Sequence, residues 1–309
     1  MVAAFAVLAN AVPRRASGRY ANVARLCLSA DSFRVSPAEK TVLDIRREAE
    51  FIAGHLPHST SIPLCELEQR LLELPPPFQD SLTLVGGSLP DLQAAEELLV
   101  SRGWDPSERL LAATIAEHLS DVGRSVRRWR PNEFLEAVLQ AYRWRLPSQG
   151  TAIDYGCGSG RDAVYLALQL QYWKVIGVDR HSKALDRAQS LAQRCGVEVE
   201  LRCRDLRKSI DVTEKAHLIH GSRFLSRPLF EACRDEILAD DGIFVWSTFL
   251  DTERPVAPPF RPSRRLGRDE LLQLFSGDQF EVLHNSVGVL NTRGVDEAAS
   301  FFACRKRRS

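Results

Sequence analysis

The chain has 309 residues, 44% of them hydrophobic, with 41 Lys and Arg against 40 Asp and Glu. That length suggests two domains, each able to bury a core, and the balanced charge argues against a global field drawing in nucleic acid or a membrane surface. The seven cysteines contain no C-x-x-C pair and match neither a zinc spacing nor a disulfide framework, and no stretch is long and apolar enough to span a bilayer.

Residues 1–30 carry Arg14, Arg15, Arg19 and Arg25 and no Asp or Glu. That is the composition of an organelle transit peptide. An extension without an address is the alternative. A secretory signal is a third reading, since Ala9-Asn10-Ala11 looks like a cleavage site, although the charged region before it is missing. The odd cysteine count suits a reducing compartment. The expected location is therefore the mitochondrion or another organelle, or the cytoplasm.

Strands and helices alternate over residues 31–118. Thr41–Arg46 is predicted as a strand, Glu48–His55 as a helical turn ending near Gly54, and Ser61–Leu64 as extended chain before and through a proline. Residues 65–74 have helical periodicity that stops at Pro75-Pro76-Pro77. Ser81–Val85 is an apolar strand, followed by Gly86-Gly87 and a helix reaching Gly103-Trp104. The alternation implies a parallel sheet.

The phrases Leu43-Asp44-Ile45-Arg46, Glu50 to Pro57 and Ser61-Ile62-Pro63-Leu64 resemble a rhodanese domain over about seventy residues. The resemblance implies a sulfur-carrying cysteine just after the Ser81–Val85 strand, in a loop whose N–H groups cradle the persulfide. Gly86 stands at that position, and Cys65 opens a different element. A thiolate must attack the donor and carry the sulfur, so the implied module is catalytically silent. Its Gly86–Pro90 loop is expected to gather N–H groups for an anion or a protein partner. Sulfur transfer through a relocated cysteine is the alternative.

Residues 119–130 form a charged linker. Pro131 is predicted in the first turn of a helix running Asn132–Tyr142. The cluster Arg124, Arg127, Arg128 and Arg130 around Trp129 reads either as an interdomain joint or as a nucleic-acid patch. No nucleic-acid partner is expected.

A strand, Thr151-Ala152-Ile153, then leads into Asp154-Tyr155-Gly156-Cys157-Gly158-Ser159-Gly160 and a helical run from Asp162. Three glycines let a backbone approach a ligand where no side chain would fit, and the helix start offers free N–H groups. A dinucleotide fingerprint would place its third glycine at 161, where Arg161 stands. Trp173–Asp179 reads as a second buried strand ending in a carboxylate, 25 residues after Asp154, and Val197–Asp205 as a third.

The D-x-G-x-G-x-G form, with acids at three successive strand ends, resembles class I S-adenosylmethionine (SAM) methyltransferases. The resemblance implies a Rossmann-like domain over residues 131–305 with a mostly parallel seven-stranded sheet, and SAM as cofactor. It implies Gly156, Cys157, Gly158 and Gly160 against the cofactor and Asp154 helping to hold its cationic methionine end. It also implies Asp179 with Arg180 at the ribose, and Asp205 with Leu206 at the adenine. In related enzymes the segment before the first strand closes over SAM, which makes the Arg124–Arg130 joint a lid. No metal is expected.

The remaining elements are predicted as a strand over 215–220, a helix over 229–238, a turn at Asp240-Asp241-Gly242 and a strand over 243–249. A helix over 268–275 and an antiparallel pair, 280–287 with 298–304, follow, and Arg305–Arg308 is read as a solvated tail. Ser159 to Ala167 and Gly221 to Phe230 resemble small-molecule methyltransferases related to the tellurite-resistance enzymes. The resemblance implies a small acceptor: a thiol, a chalcogen compound or an oxygen nucleophile. The Asn/Asp-Pro-Pro-Tyr/Phe motif of amino-group methyltransferases is replaced by His220-Gly221-Ser222-Arg223-Phe224. His220 is a candidate base, against a strand-end histidine satisfied by backbone. Arg223 and Arg227 are candidate holders of an acidic acceptor or structural residues. A SAM-binding regulatory or adaptor protein and a sulfur-handling fusion enzyme are the other functional readings.

Overall fold

Apolar runs that alternate with helical stretches pair into two sheets. The computed structural model describes residues 41–77, 81–122, 125–210, 214–252, 255, 258–292 and 294–308. The segment 1–30, the start of the first predicted domain and Arg124 lie outside the described residues.

The first sheet has strands β1 (Thr41–Asp44), β2 (Thr60–Ser61), β3 (Ser81–Gly86) and β4 (Asp105–Leu111), all parallel, in the order β2–β1–β3–β4. Helices α1 (Glu48–Ala53), α2 (Leu67–Arg70) and α3 (Leu89–Ser101) connect them. Leu43, Ile62, Leu67, Leu82, Leu84, Leu92 and Leu99 close the core. The helix expected over 65–74 is instead α2 flanked by two 3₁₀ turns, Leu64–Glu66 and Leu71–Glu73. The tighter turns bring Leu64, Leu67, Leu71 and Leu74 onto one core at spacings of three and four. Strand β4 was not predicted. Its Asp-Pro-Ser-Glu-Arg sequence has no apolar alternation, and it forms the edge of the sheet, where a proline is tolerated.

The Gly86–Pro90 loop is short. Helix α3 begins at Leu89, so only Gly87 and Ser88 separate it from β3. Ser88 caps the helix by accepting the Asp91 N–H at 3.3 Å. Pro90 sits in the first turn and has no N–H to offer. A Cβ at Gly86 would lie 2.7 Å from Leu92 Cγ, so Leu92 occupies the space that a side chain at 86 needs.

The second sheet is seven-stranded and mostly parallel, as the resemblance implied. Its strands are β5 (Thr151–Tyr155), β6 (Lys174–Asp179), β7 (Glu200–Cys203), β8 (Ala216–Ser222), β9 (Leu238–Phe249), β10 (Phe280–Thr292) and β11 (Val295–Lys306). The order is β10–β11–β9–β8–β5–β6–β7, with β11 antiparallel to both neighbours. Helices α4 (Glu133–Tyr142), α5 (Arg161–Gln169), α6 (Ser182–Cys195), α7 (Arg227–Ala232) and α8 (Glu270–Leu274) accompany it. Helix α6 shows why: Ala184, Leu185, Ala188, Leu191 and Ala192 form one buried stripe. The core centres on Phe230, Phe244, Trp246, Phe275 and Phe302, with Phe244 stacked on Trp246 at 5.4 Å between centroids.

Three local expectations change. Pro131 precedes the Asn132 cap and is not in the first turn, because the Asn132 side chain takes the Leu135 N–H. The Asp240–Gly242 turn is an irregularity inside β9, where Asp241 adopts φ +62° and the pairing with β8 shifts register. Arg305 is not a solvated end; it continues β11 and pairs with Asp241 and Glu281.

The joint between the two sheets is fastened at both ends. His55 and Asp121 exchange main-chain bonds at 3.0 and 3.1 Å, and Val126 N–H reaches Ser59 O at 2.9 Å. The Ser125 hydroxyl accepts the Ser61 N–H at 2.8 Å. Trp129 is buried, with Arg127 over its ring at 4.7 Å. Arg194 of α6 meets Glu73 of the first region at 2.5 Å.

Candidate cofactor site

The loop between β5 and α5 lies at the carboxyl end of parallel strands, where open α/β sheets take their ligands. Gly156 and Cys157 donate main-chain N–H groups to Val178 O at 2.8 and 3.1 Å, which ties the loop to β6. Asp179 then clasps it from the side. One carboxylate oxygen accepts the Gly158 N–H at 2.9 Å, and the other accepts the His181 N–H at 2.9 Å. Each oxygen keeps a further lone pair, so the carboxylate retains acceptor capacity.

The glycines do different work, which corrects the expectation that all three serve ligand approach. Gly158 has φ +54°, and a Cβ there would meet nothing within 4 Å. Gly160 has φ +81°, and a Cβ there would stand 2.6 Å from the Ala188 Cβ. It is a packing glycine that lets α5 meet α6. Gly156 faces the Phe224 ring, with its virtual Cβ at 3.3 Å. Cys157 folds back over the sheet, and burial with the fields of Asp154 and Asp179 pushes its thiol far above the usual range. It is an inert packing group.

Beneath the loop is a buried polar cluster. Asp154 and His220 are register partners on β5 and β8, and both are fully enclosed. His220 Nε2 lies 3.2 Å from Asp162 Oδ2, and Asp162 Oδ1 accepts the Asn132 N–H at 2.6 Å. Asn132 Nδ2 donates to Ser222 Oγ at 3.0 Å and Ser247 Oγ at 3.4 Å. Burial pushes Asp154 up to about 7, against the pull of His220. Burial alone would lower His220, but the bond to Asp162 and the charges of Asp162 and Asp154 outweigh it and raise the ring. Burial works to raise Asp162, yet His220, the Asn132 N–H and Arg161 together hold it below the ordinary carboxylate range. Asp154 Oδ2 and His220 Nδ1 have no hydrogen-bond partner. Sequence reasoning missed Asp162, Asn132, Ser222 and Ser247. An acid in the first turn of α5 was the available signal, but nothing in the sequence links it to position 132.

The other expected site residues are spread along the same edge. Asp205 is gripped through both oxygens by Arg207 at 3.0 Å, which holds its carboxyl at about 2. Leu206 is buried beside Ile153 and Val178. Arg180 is exposed and donates to His181 Nε2 at 3.0 Å. Arg223 ends β8 in a left-handed conformation, φ +56°, and its guanidinium donates to Asn291 O at 2.7 Å. Arg227 is paired with both oxygens of Glu270 at 2.6 and 2.8 Å, the structural reading of that residue. Among the described residues, no cluster of His, Cys, Asp and Glu could hold a metal ion, and no helix is long and apolar enough to cross a membrane.

These residues suit a cationic, nucleoside-bearing cofactor. An orphaned buried carboxylate oxygen calls for a donor, the space before Gly158 admits a ligand to the backbone, and Asp179 offers lone pairs at a strand end.

Part of this region is similar to known proteins. Residues 152–237 match the family model described as a methyltransferase domain. A ribosomal protein L11 methyltransferase of Thermosipho africanus is 34% identical over 106 residues, which cover 34% of this chain and 39% of the relative. The chain thus spans well under half the length of that curated relative. Among solved structures, TehB from Haemophilus influenzae is 18% identical with a TM-score of 0.46, over 56% of this chain and 62% of that one. A SAM-dependent methyltransferase from Clostridium acetobutylicum is 12% identical with a TM-score of 0.43, over 57% of this chain and 92% of its own. Residues 152–237 are thus similar to methyltransferase domains.

Proposed function

We propose that the protein transfers the methyl group of SAM to a small-molecule acceptor: a thiol, a chalcogen compound or an oxygen nucleophile. The first domain, on this reading, is a rhodanese-like accessory module without sulfur-transfer activity. The observation that carries the proposal is the pairing of an open Gly158 with Asp179, whose carboxylate fixes the loop and still has lone pairs to spare. Asp179 would take the ribose hydroxyls with Arg180 beside it, and Asp205 and Leu206 would border the adenine. Asp154, enclosed beneath the loop, would help to hold the cationic methionine end through its charge. SAM supplies an already activated methyl group, so the chain's task is alignment and exclusion of water.

The silence of the first domain is supported by Gly86 and by Leu92, which fills the space a nucleophile there would use. Gly87 and Ser88 remain available to a protein partner. A protein acceptor is the second reading, favoured by the match to a ribosomal-protein methyltransferase. Against it, the β8 end has no Asn/Asp-Pro-Pro-Tyr/Phe motif. A thermal-shift screen with SAM and its demethylated product, followed by untargeted methylation of metabolite and ribosomal-protein extracts, tests both. Labelled metabolites support the first reading, a labelled protein band the second, and no shift with either ligand rejects both.

A further inference from the structure

We infer that Asp162 and His220 are positioning residues that fasten the entry segment 127–132 against the cofactor site, acting on the reaction through Asn132. The inference rests on the reading that residues 154–160 face SAM.

The geometry converges on one residue. Asn132 is bound through its main-chain N–H to α5, through Nδ2 to the ends of β8 and β9, and through Oδ1 to the first turn of α4. Asp162 is the second residue of α5, directly after the glycine loop. A movement of the entry segment therefore pulls on the helix start that follows Gly158 and Gly160. His220 sets the other oxygen of Asp162 and has no exposed surface, so it has no path to an acceptor. This removes it as a base and gives it a different task.

Two carboxyls face the ring, Asp162 from α5 and Asp154 from β5; Asp179 of β6 acts on Asp154. Arg161 is the charged neighbour that acts on Asp162. One imidazole thus holds the buried Asp154 and the partly buried Asp162 together. Losing it would leave them to repel each other and would free the oxygen that orients Asp162. Upstream, the segment is already held at Ser125 and Val126 by the edge of the first sheet. Asn132 is the opposite anchor of a short strap that includes the buried Trp129.

The test uses the full chain and the variants Asp162→Ala, Asp162→Asn and His220→Phe. SAM affinity is measured by calorimetry, and amide exchange over residues 127–135 is measured without ligand. Asp162→Ala should weaken SAM binding about tenfold, as expected for a lost bond to a charged group. It should also speed exchange in 127–135. Asp162→Asn keeps an oxygen for the Asn132 N–H and an N–H for a neutral His220, and should recover most of both. Should Asp162→Ala fail to fold, His220→Phe keeps the ring volume, has no nitrogen to hold Asp162 Oδ2, and carries the same expectations with the Asn132 bonds intact. Wild-type affinity and exchange in a folded Asp162→Ala or His220→Phe variant overturn the inference, as does a loss that Asp162→Asn does not rescue. If the wild type binds no SAM, the cofactor reading fails, and exchange in the ligand-free protein alone decides whether the strap is fastened here.

Discussion

Adding one methyl group at Gly158 or at Gly160 should separate binding from stability. Both residues are left-handed, at φ +54° and +81°, so alanine costs about 1–2 kcal/mol of backbone strain at either site. At Gly158 that is the whole structural cost, because the new Cβ meets nothing within 4 Å. At Gly160 the new Cβ lies 2.6 Å from Ala188 Cβ and 3.0 Å from Ala188 Cα, so α5 and α6 must move apart. Overpacking of that kind costs about 1–3 kcal/mol more. Gly160→Ala should therefore lose about 2–5 kcal/mol, a large part of the ~5–15 kcal/mol of a typical domain. Gly158→Ala should lose only the strain, yet bind SAM far more weakly, and Gly158→Val should abolish binding. Urea denaturation gives the first quantity and calorimetry the second. Equal destabilisation by the two alanines, or wild-type affinity in Gly158→Ala, refutes the division of roles.

Asp179→Ala removes the acceptor for two loop N–H groups and the proposed ribose contact; SAM affinity should fall by about 1.5–3 kcal/mol in calorimetry, and unchanged affinity in a folded variant sinks the assignment. The folded chain holds protons on Asp154, raised from 3.8 to about 7, and on His220, raised above 6.5, that the unfolded chain releases. Stability should therefore decline as pH rises from mildly acidic through neutral values, while the depressed Asp162 removes stability only at the acid end. Urea midpoints between about pH 5 and 8.5 should fall in the wild type and flatten in Asp154→Asn; parallel curves contradict this. Thiosulfate with cyanide should give no thiocyanate above a heat-killed control, and Gly86→Cys alone should not create a rate, because its Cβ would lie 2.7 Å from Leu92 Cγ. Thiocyanate that disappears on Cys65→Ser would instead promote the sulfur-handling reading.

Strands β5, β6 and β8 were legible because each is an apolar run that meets a glycine or an acid, and α5 because its apolar residues recur at helical spacing; β7, Glu-Leu-Arg-Cys, is marked mainly by the acid that follows it. Gly156 to Gly160 announced the loop but not the division of labour within it. Whether a glycine faces a ligand or Ala188 depends on a helix nearly thirty residues away. Residues 64–73 misled because three- and four-residue spacings serve an α-helix and linked 3₁₀ turns equally well. Strand β4 was invisible because an edge strand need not alternate. The Asp162–His220–Asn132 cluster joins elements 30 and 58 residues apart in sequence, beyond what spacing can report.

The doubly anchored joint at 121–132 also bears on how this chain can be taken apart. A cut after 118 severs the hydrogen bonds that join His55, Ser59 and Ser61 to residues 121–126, and leaves that strand edge without a mate. A cut before 131 leaves the Asn132 anchor without the chain that leads to it. The two halves are therefore poor candidates for modular exchange. A chimera keeping residues 119–132 with either half would carry a strand edge or a cap made to fit the other.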